Sequence, residues 1–111
     1  LVPPQSLARN RIGFRTWFEA FDDLRDRVAA TSFDVALVAC GAYGLPLAAA
    51  IKRMGRQAIH LGGSLQLMFG IRGRRWDAWP SISSLLNEHW TAPLDTERPP
   101  RFWRVEGGCY W

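Results

Sequence analysis

Apolar side chains recur three and four residues apart at Phe14, Trp17, Phe18, Phe21, Leu24 and Val28, with Arg15, Glu19, Asp22, Asp23 and Asp26 between them. This spacing predicts an amphipathic helix that ends at Thr31 and Ser32, its acidic and basic residues solvating the outer face. The pattern then changes. Phe33–Ala39, FDVALVA, is short and almost continuously apolar, as in a strand buried in a parallel sheet. Gly41-Ala42-Tyr43-Gly44 turns the chain out of it, and a helix is predicted from Leu45 to Met54, with Pro46 in its first turn and Gly55 as its stop. Gln57–Leu61 reads as a second strand. Together these segments predict a βαβ unit with parallel strands, whose right-handed crossover brings both strand exits to one edge.

Beyond the second strand the signals shorten. After Gly62-Gly63, Ser64 is a candidate N-cap for a short helix that Gly70 ends. A second short helix is expected within Pro80–Trp90, beginning near Ser83 or Ser84 and turning Leu85 and Leu86 inward. Pro93, Pro99 and Pro100 mark 91–101 as a surface loop, and Phe102–Trp111 reads as a last strand or extended C-terminal arm bent at Gly107-Gly108. The expected fold class is α/β, with a Rossmann-like βαβ core, parallel strands and short helices. Residues 1–13, with Pro3, Pro4, Arg9 and Arg11, read as a lead-in segment, and residues 14–111 as one domain.

Length and composition narrow the picture. A chain of 111 residues fits one small domain burying roughly two-thirds of its unfolded surface. With 48% hydrophobic and 22% charged residues, disorder is not expected, and six tryptophans promise a heavy aromatic component. Gly41, Gly44 and Pro46 break the longest apolar stretch, so no membrane span is expected. Cys40 and Cys109 lack the paired spacing of a zinc site or disulfide framework, which points to a reducing, cytoplasmic setting. The opening LVPPQS has neither an initiator Met nor a signal pattern, so the chain is expected to be the C-terminal portion of a longer protein.

Charge adds a partner class. Residues 51–75 hold Lys52, Arg53, Arg56, Arg72, Arg74 and Arg75 without an acid, a local excess larger than the net charge of +4. Beside glycine-rich strand exits this favours a phosphate-bearing small molecule, with nucleic acid second and a merely solvated surface as the alternative.

Four stretches carry candidate chemistry. In Ala39-Cys40-Gly41-Ala42-Tyr43-Gly44, two glycines match a dinucleotide fingerprint while Ala39 stands where its first glycine belongs. Gly41, Ala42, Tyr43 and Gly44 could let a phosphate approach the backbone, or the glycines could only permit a tight turn. The second strand ends in His60-Leu61-Gly62-Gly63, without the acid that a nicotinamide cofactor's ribose requires, so a dehydrogenase is disfavoured. Gly62, Gly63 and Ser64, with Gln66, offer backbone donors and a hydroxyl to a diphosphate or a sugar. His60 itself reads as a core histidine rather than a catalytic base. Arg72, Arg74 and Arg75 could grip phosphate while Trp76 stacks on a base or sugar ring, although three arginines are few for nucleic acid. In Asn87-Glu88-His89-Trp90, Glu88 and His89 are candidates for general acid–base work, against a purely structural or exposed role.

These stretches in series, CGAYGLPLAAAIKRMGRQAIHLGGSLQLMFGIRGRRWD, then NEHW, then VEGGCYW, resemble the C-terminal part of a bacterial family of unassigned activity encoded among polysaccharide-biosynthesis genes. The resemblance covers about residues 14–111. More distantly, the strand–glycine–helix–strand pattern is similar to glycosyltransferases of the GT-D fold. That likeness implies sugar transfer from a nucleotide-diphosphate donor, with Gly41–Gly44 and Gly62–Ser64 at the donor site and Arg72 to Arg75 neutralising the leaving group. The acidic metal motif expected in that family's N-terminal half is absent from these residues, so a divalent metal would depend on residues upstream and the chain alone would bind without catalysing. The alternatives are a non-catalytic nucleotide or phosphoanion-binding module and, last, a nucleic-acid-binding domain.

Overall fold

The fold is that of a computed structural model describing residues 1–5 and 13–111. Arg9 and Arg11 of the expected lead-in lie outside the described residues. The chain forms two compact units, one containing residues 1–5 and 13–65, the other residues 66–111.

The first unit is a helix–strand–helix–strand arrangement. Helix α1 runs Trp17–Ala29, opened by Thr16, whose hydroxyl accepts the Glu19 N–H at 3.1 Å. Strand β1 is Val35–Val38, helix α2 is Gly44–Arg53, and strand β2 is Gln57–His60. The strands pair in parallel, with Val35 opposite Gln57 and Val38 opposite His60. Alternation along the strands sends Ala36, Val38 and Ala58 toward the helices, where Ala20, Leu24 and Val28 of α1 meet Leu47 and Ile51 of α2. Leu24 and Ile51 are the largest fully buried side chains, each worth about 1.5–3 kcal/mol of transfer free energy. The opposite sheet face is open, with Val35, Leu37 and Ile59 between 40% and 50% exposed.

The helical face of α1 is rotated slightly from its expected position. Ala20 is buried, whereas Phe18 is 71% exposed. The stripe that packs is Trp17, Ala20, Phe21, Leu24 and Val28, and Trp17 stacks on both Phe21 and Tyr43 with near-parallel rings. Arg56 also has a structural post. Its guanidinium donates to the Thr31 carbonyl at 3.0 Å and lies over the Phe33 ring, tying the end of α1 to the start of β2.

The second unit is built from turns. Helix α3, Leu65–Met68, begins at the boundary and ends at Gly70, whose φ is +67°. Helix α4 is one turn, Pro80–Ser83, so Ser83 lies at its end rather than its start, because Pro80 takes the first helical position. Leu85, expected to face inward, is 59% exposed. Ile71 pairs with Thr91 in a single parallel bridge, flanked by hydrogen bonds from Arg72 N–H to Thr91 and from Thr91 N–H to Gly70. The expected extended C-terminal arm is instead two 3-10 turns, Phe102–Arg104 and Glu106–Gly108. Left-handed backbone at Glu106, Gly107 and Gly108 curls the segment, and Phe102 meets both Trp103 and Trp111 edge-on. Among the described residues, every fully buried hydrophobic side chain belongs to the first unit.

Candidate functional site at the paired strand exits

The register of the parallel pair decides where the site lies. Because Val38 stands opposite His60, both strands end level and the Leu61 N–H donates to the Val38 carbonyl at 2.9 Å. Each exit then follows the same course. Gly41 and Gly62 take φ of +51° and +57°, each opens a 3-10 turn (Gly41–Tyr43 and Gly62–Ser64), and each turn runs directly into a helix. Added Cβ atoms at Gly41 or Gly62 would meet nothing within 4 Å, so left-handed backbone rather than crowding requires glycine there. Among the described residues, no side chain caps either turn or α2. The paired loops therefore present open space beside backbone at the carboxyl ends of parallel strands, the position where open α/β sheets take ligands.

His60 ends the strand that leads into the second loop. It reads from sequence as a core histidine, yet it is exposed, and its ring rests against Gly44 at the start of α2. Ala58 points from the same face of β2 into the core, but two residues on the helix has ended and the imidazole emerges over its first residue. The sequence signal is Gly44 itself, the small residue that leaves room for the ring.

Side chains around the loops have more limited roles than expected. Tyr43 is buried at 2% exposure and stacked 5.2 Å from Trp17, so its ring is packing rather than a ligand contact, and its hydroxyl has no partner among the described residues. Ala42 is exposed, and Gly63 is half-buried. Ser64 is not the N-cap of α3, because the intervening 3-10 turn leaves its hydroxyl donating back to the Leu61 carbonyl at 2.7 Å. Cys40, just before the first loop, has its thiol pKa raised by burial.

The remaining candidates belong to the second unit. The Gln66 amide nitrogen is buried against Gly73 without a hydrogen-bond partner among the described residues, so it is a packed group rather than an open donor. Trp76 is half-buried, edge-on to Trp79, with its indole N–H also unpartnered. Arg72 pairs with Asp77 at 3.4 Å. Arg75 pairs with Glu106 and lies over the Tyr110 ring, and the Tyr110 hydroxyl donates to the same carboxylate at 3.2 Å. Arg74 is exposed and, among the described residues, forms no ion pair. Glu88 and His89 are side by side, 3.7 Å apart, and both more than 80% exposed. Both side chains stand open to solvent.

A groove of about 220 Å³ runs along β1, lined by Leu24, Val28, Val35, Leu37, Leu47 and Ile51 among others. Its apolar walls do not suit a phosphate. Among the described residues no three His, Cys, Asp or Glu side chains come together as metal ligands. Nor is any helix there long and apolar enough to cross a membrane. No family model, curated protein or solved structure matches the chain.

Proposed function

We propose that the chain binds the diphosphate of a nucleotide sugar at its two strand exits, as the donor-binding part of a glycosyltransferase-like, Rossmann-like protein of surface-polysaccharide synthesis. One observation carries the binding reading: the Val38–His60 register sets two positive-φ glycine loops side by side at the carboxyl ends of parallel strands. Phosphate oxygens accept hydrogen bonds, and exposed backbone at a strand-to-helix turn supplies donors without a side chain in the way. Donors held in place by a folded loop also stabilise the charge that grows on a diphosphate leaving group. The sugar-transfer element is supported by the resemblance of the motif series to the GT-D pattern.

Isothermal calorimetry with UDP, GDP, ADP and CDP, and with their sugar conjugates, tests this reading. Saturable binding of one nucleoside diphosphate is expected. Absence of heat with all of them, with and without magnesium or manganese, removes it.

The exposure of Glu88 and His89 favours a second reading, a phosphoanion-binding module without catalysis. It predicts nucleotide binding that survives Glu88→Gln and His89→Ala, with no sugar transfer or donor hydrolysis by the protein.

A further inference from the structure

We propose that His60 is the side chain that contacts the ligand at the paired strand exits, its imidazole N–H donating to a phosphate oxygen of a bound nucleoside diphosphate. The inference rests on the phosphate-binding reading above and assigns it a residue.

Helix α2 opens on a glycine that its own backbone does not require. Gly44 is the first residue of α2, and its backbone is ordinary right-handed helix, φ −61° and ψ −55°. Nothing in that conformation calls for glycine, which weakens a helix relative to alanine. The requirement comes from across the strand exits. An added Cβ would stand 2.8 Å from Cδ2 of His60 and closer still to Nε2. Gly44 is thus the residue that admits the imidazole.

A glycine that seats a buried apolar ring is explained by packing. His60 is different, because the ring is exposed and, among the described residues, forms no hydrogen bond or ion pair. The ring rests against Gly44, and its nitrogens have no hydrogen-bond partner among the described residues. Its position adds the chemistry. His60 is the last residue of β2, level with Val38 and two residues before Gly62, and its ring rests against Gly44 where the first loop enters α2. There an imidazole can donate to an anion from the ring nitrogen that carries the proton and faces it.

The chain has two histidines, which makes a direct readout practicable. In proton–carbon NMR spectra of the ring resonances, assigned with His89→Gln, titration with UDP, GDP, ADP and CDP in turn should shift the His60 signals saturably. Calorimetry should then show about a tenfold weaker Kd for His60→Ala with the nucleotide that binds, the loss of one charge-assisted hydrogen bond. Gly44→Ala, which displaces the ring, should weaken binding similarly in the parent chain. If a nucleotide binds while the His60 resonances and the His60→Ala affinity stay as they were, this inference is overturned and the binding reading stands. If none binds the parent protein, both fall. The NMR arm uses the parent chain, so the outcome does not depend on a variant folding.

Discussion

The imidazole of His60 occupies the space that a Cβ on Gly44 would need. A side chain at the end of one strand thereby dictates a residue type at the start of the preceding helix, sixteen positions earlier. The relationship has an energetic signature separable from any ligand.

Gly44→Ala in the parent chain should be neutral or destabilising, because the gain in helix propensity is offset by displacing the ring. In a His60→Ala background the same change should stabilise by up to about 1 kcal/mol. Urea unfolding of the four proteins closes this cycle. Equal effects of Gly44→Ala in both backgrounds would show that the contact carries no energy.

Leu24→Ala should destabilise the first unit by about 2–5 kcal/mol, since Leu24 is 2% exposed and packed among α1, α2 and β1. Phe18→Ala, on the same helix but 71% exposed, should change stability by no more than about 0.5 kcal/mol. Thermal or urea melts followed by circular dichroism distinguish the two.

Glu106 has a φ of +48°, the left-handed region that costs a non-glycine residue about 1–2 kcal/mol. Its carboxylate compensates by accepting from Arg75 and Tyr110. Glu106→Ala keeps the backbone strain and loses both partners, so a loss of about 1–2 kcal/mol is expected. Glu106→Gly loses the same partners but relieves the strain, and should lie nearer the parent. The order of the two melting temperatures is the test.

Burial raises the Cys40 thiol above its ordinary value of 9.0. The folded state therefore favours the protonated thiol more strongly than the unfolded chain does. Its contribution is fully present below pH 9 and is lost as pH rises from there through the folded-state value. Denaturant titrations across that range should show stability falling with pH, and Cys40→Ala should flatten this part of the curve.

Where local pattern and packing agreed, the chain was readable. Pro46 and Gly55 bracketed α2 to within one residue, and glycine punctuation placed both strands, because each feature acts within a single turn of chain. Phe18 misled because hydrophobicity alone does not show which flank of a stripe meets a neighbour, and the stack of Trp17 on Tyr43 settles that rotation. The C-terminal segment misled for another reason. Phe102–Trp111 has strand-like composition, but left-handed backbone at Glu106 and both glycines curls it into turns. At the candidate site the glycine loops were legible and His60 was not, since its exposure depends on where α2 begins relative to the end of β2. Ion pairing of Arg72 and Arg75 was equally hidden, because the Arg75 partner lies 31 residues away.

The two parallel strands, among the described residues, hold each other along a single seam. In hydrogen-exchange terms that seam is narrow: each strand turns only alternate amide protons toward its partner, and the others face outward. Slow exchange in the first unit should therefore concentrate in α1 and α2, with an on-off alternation along Val35–Val38 and Gln57–His60. The rigidity of the strand exits is then set by the helices that grip one face of the sheet, and the ladder serves mainly to keep Val38 and His60 level.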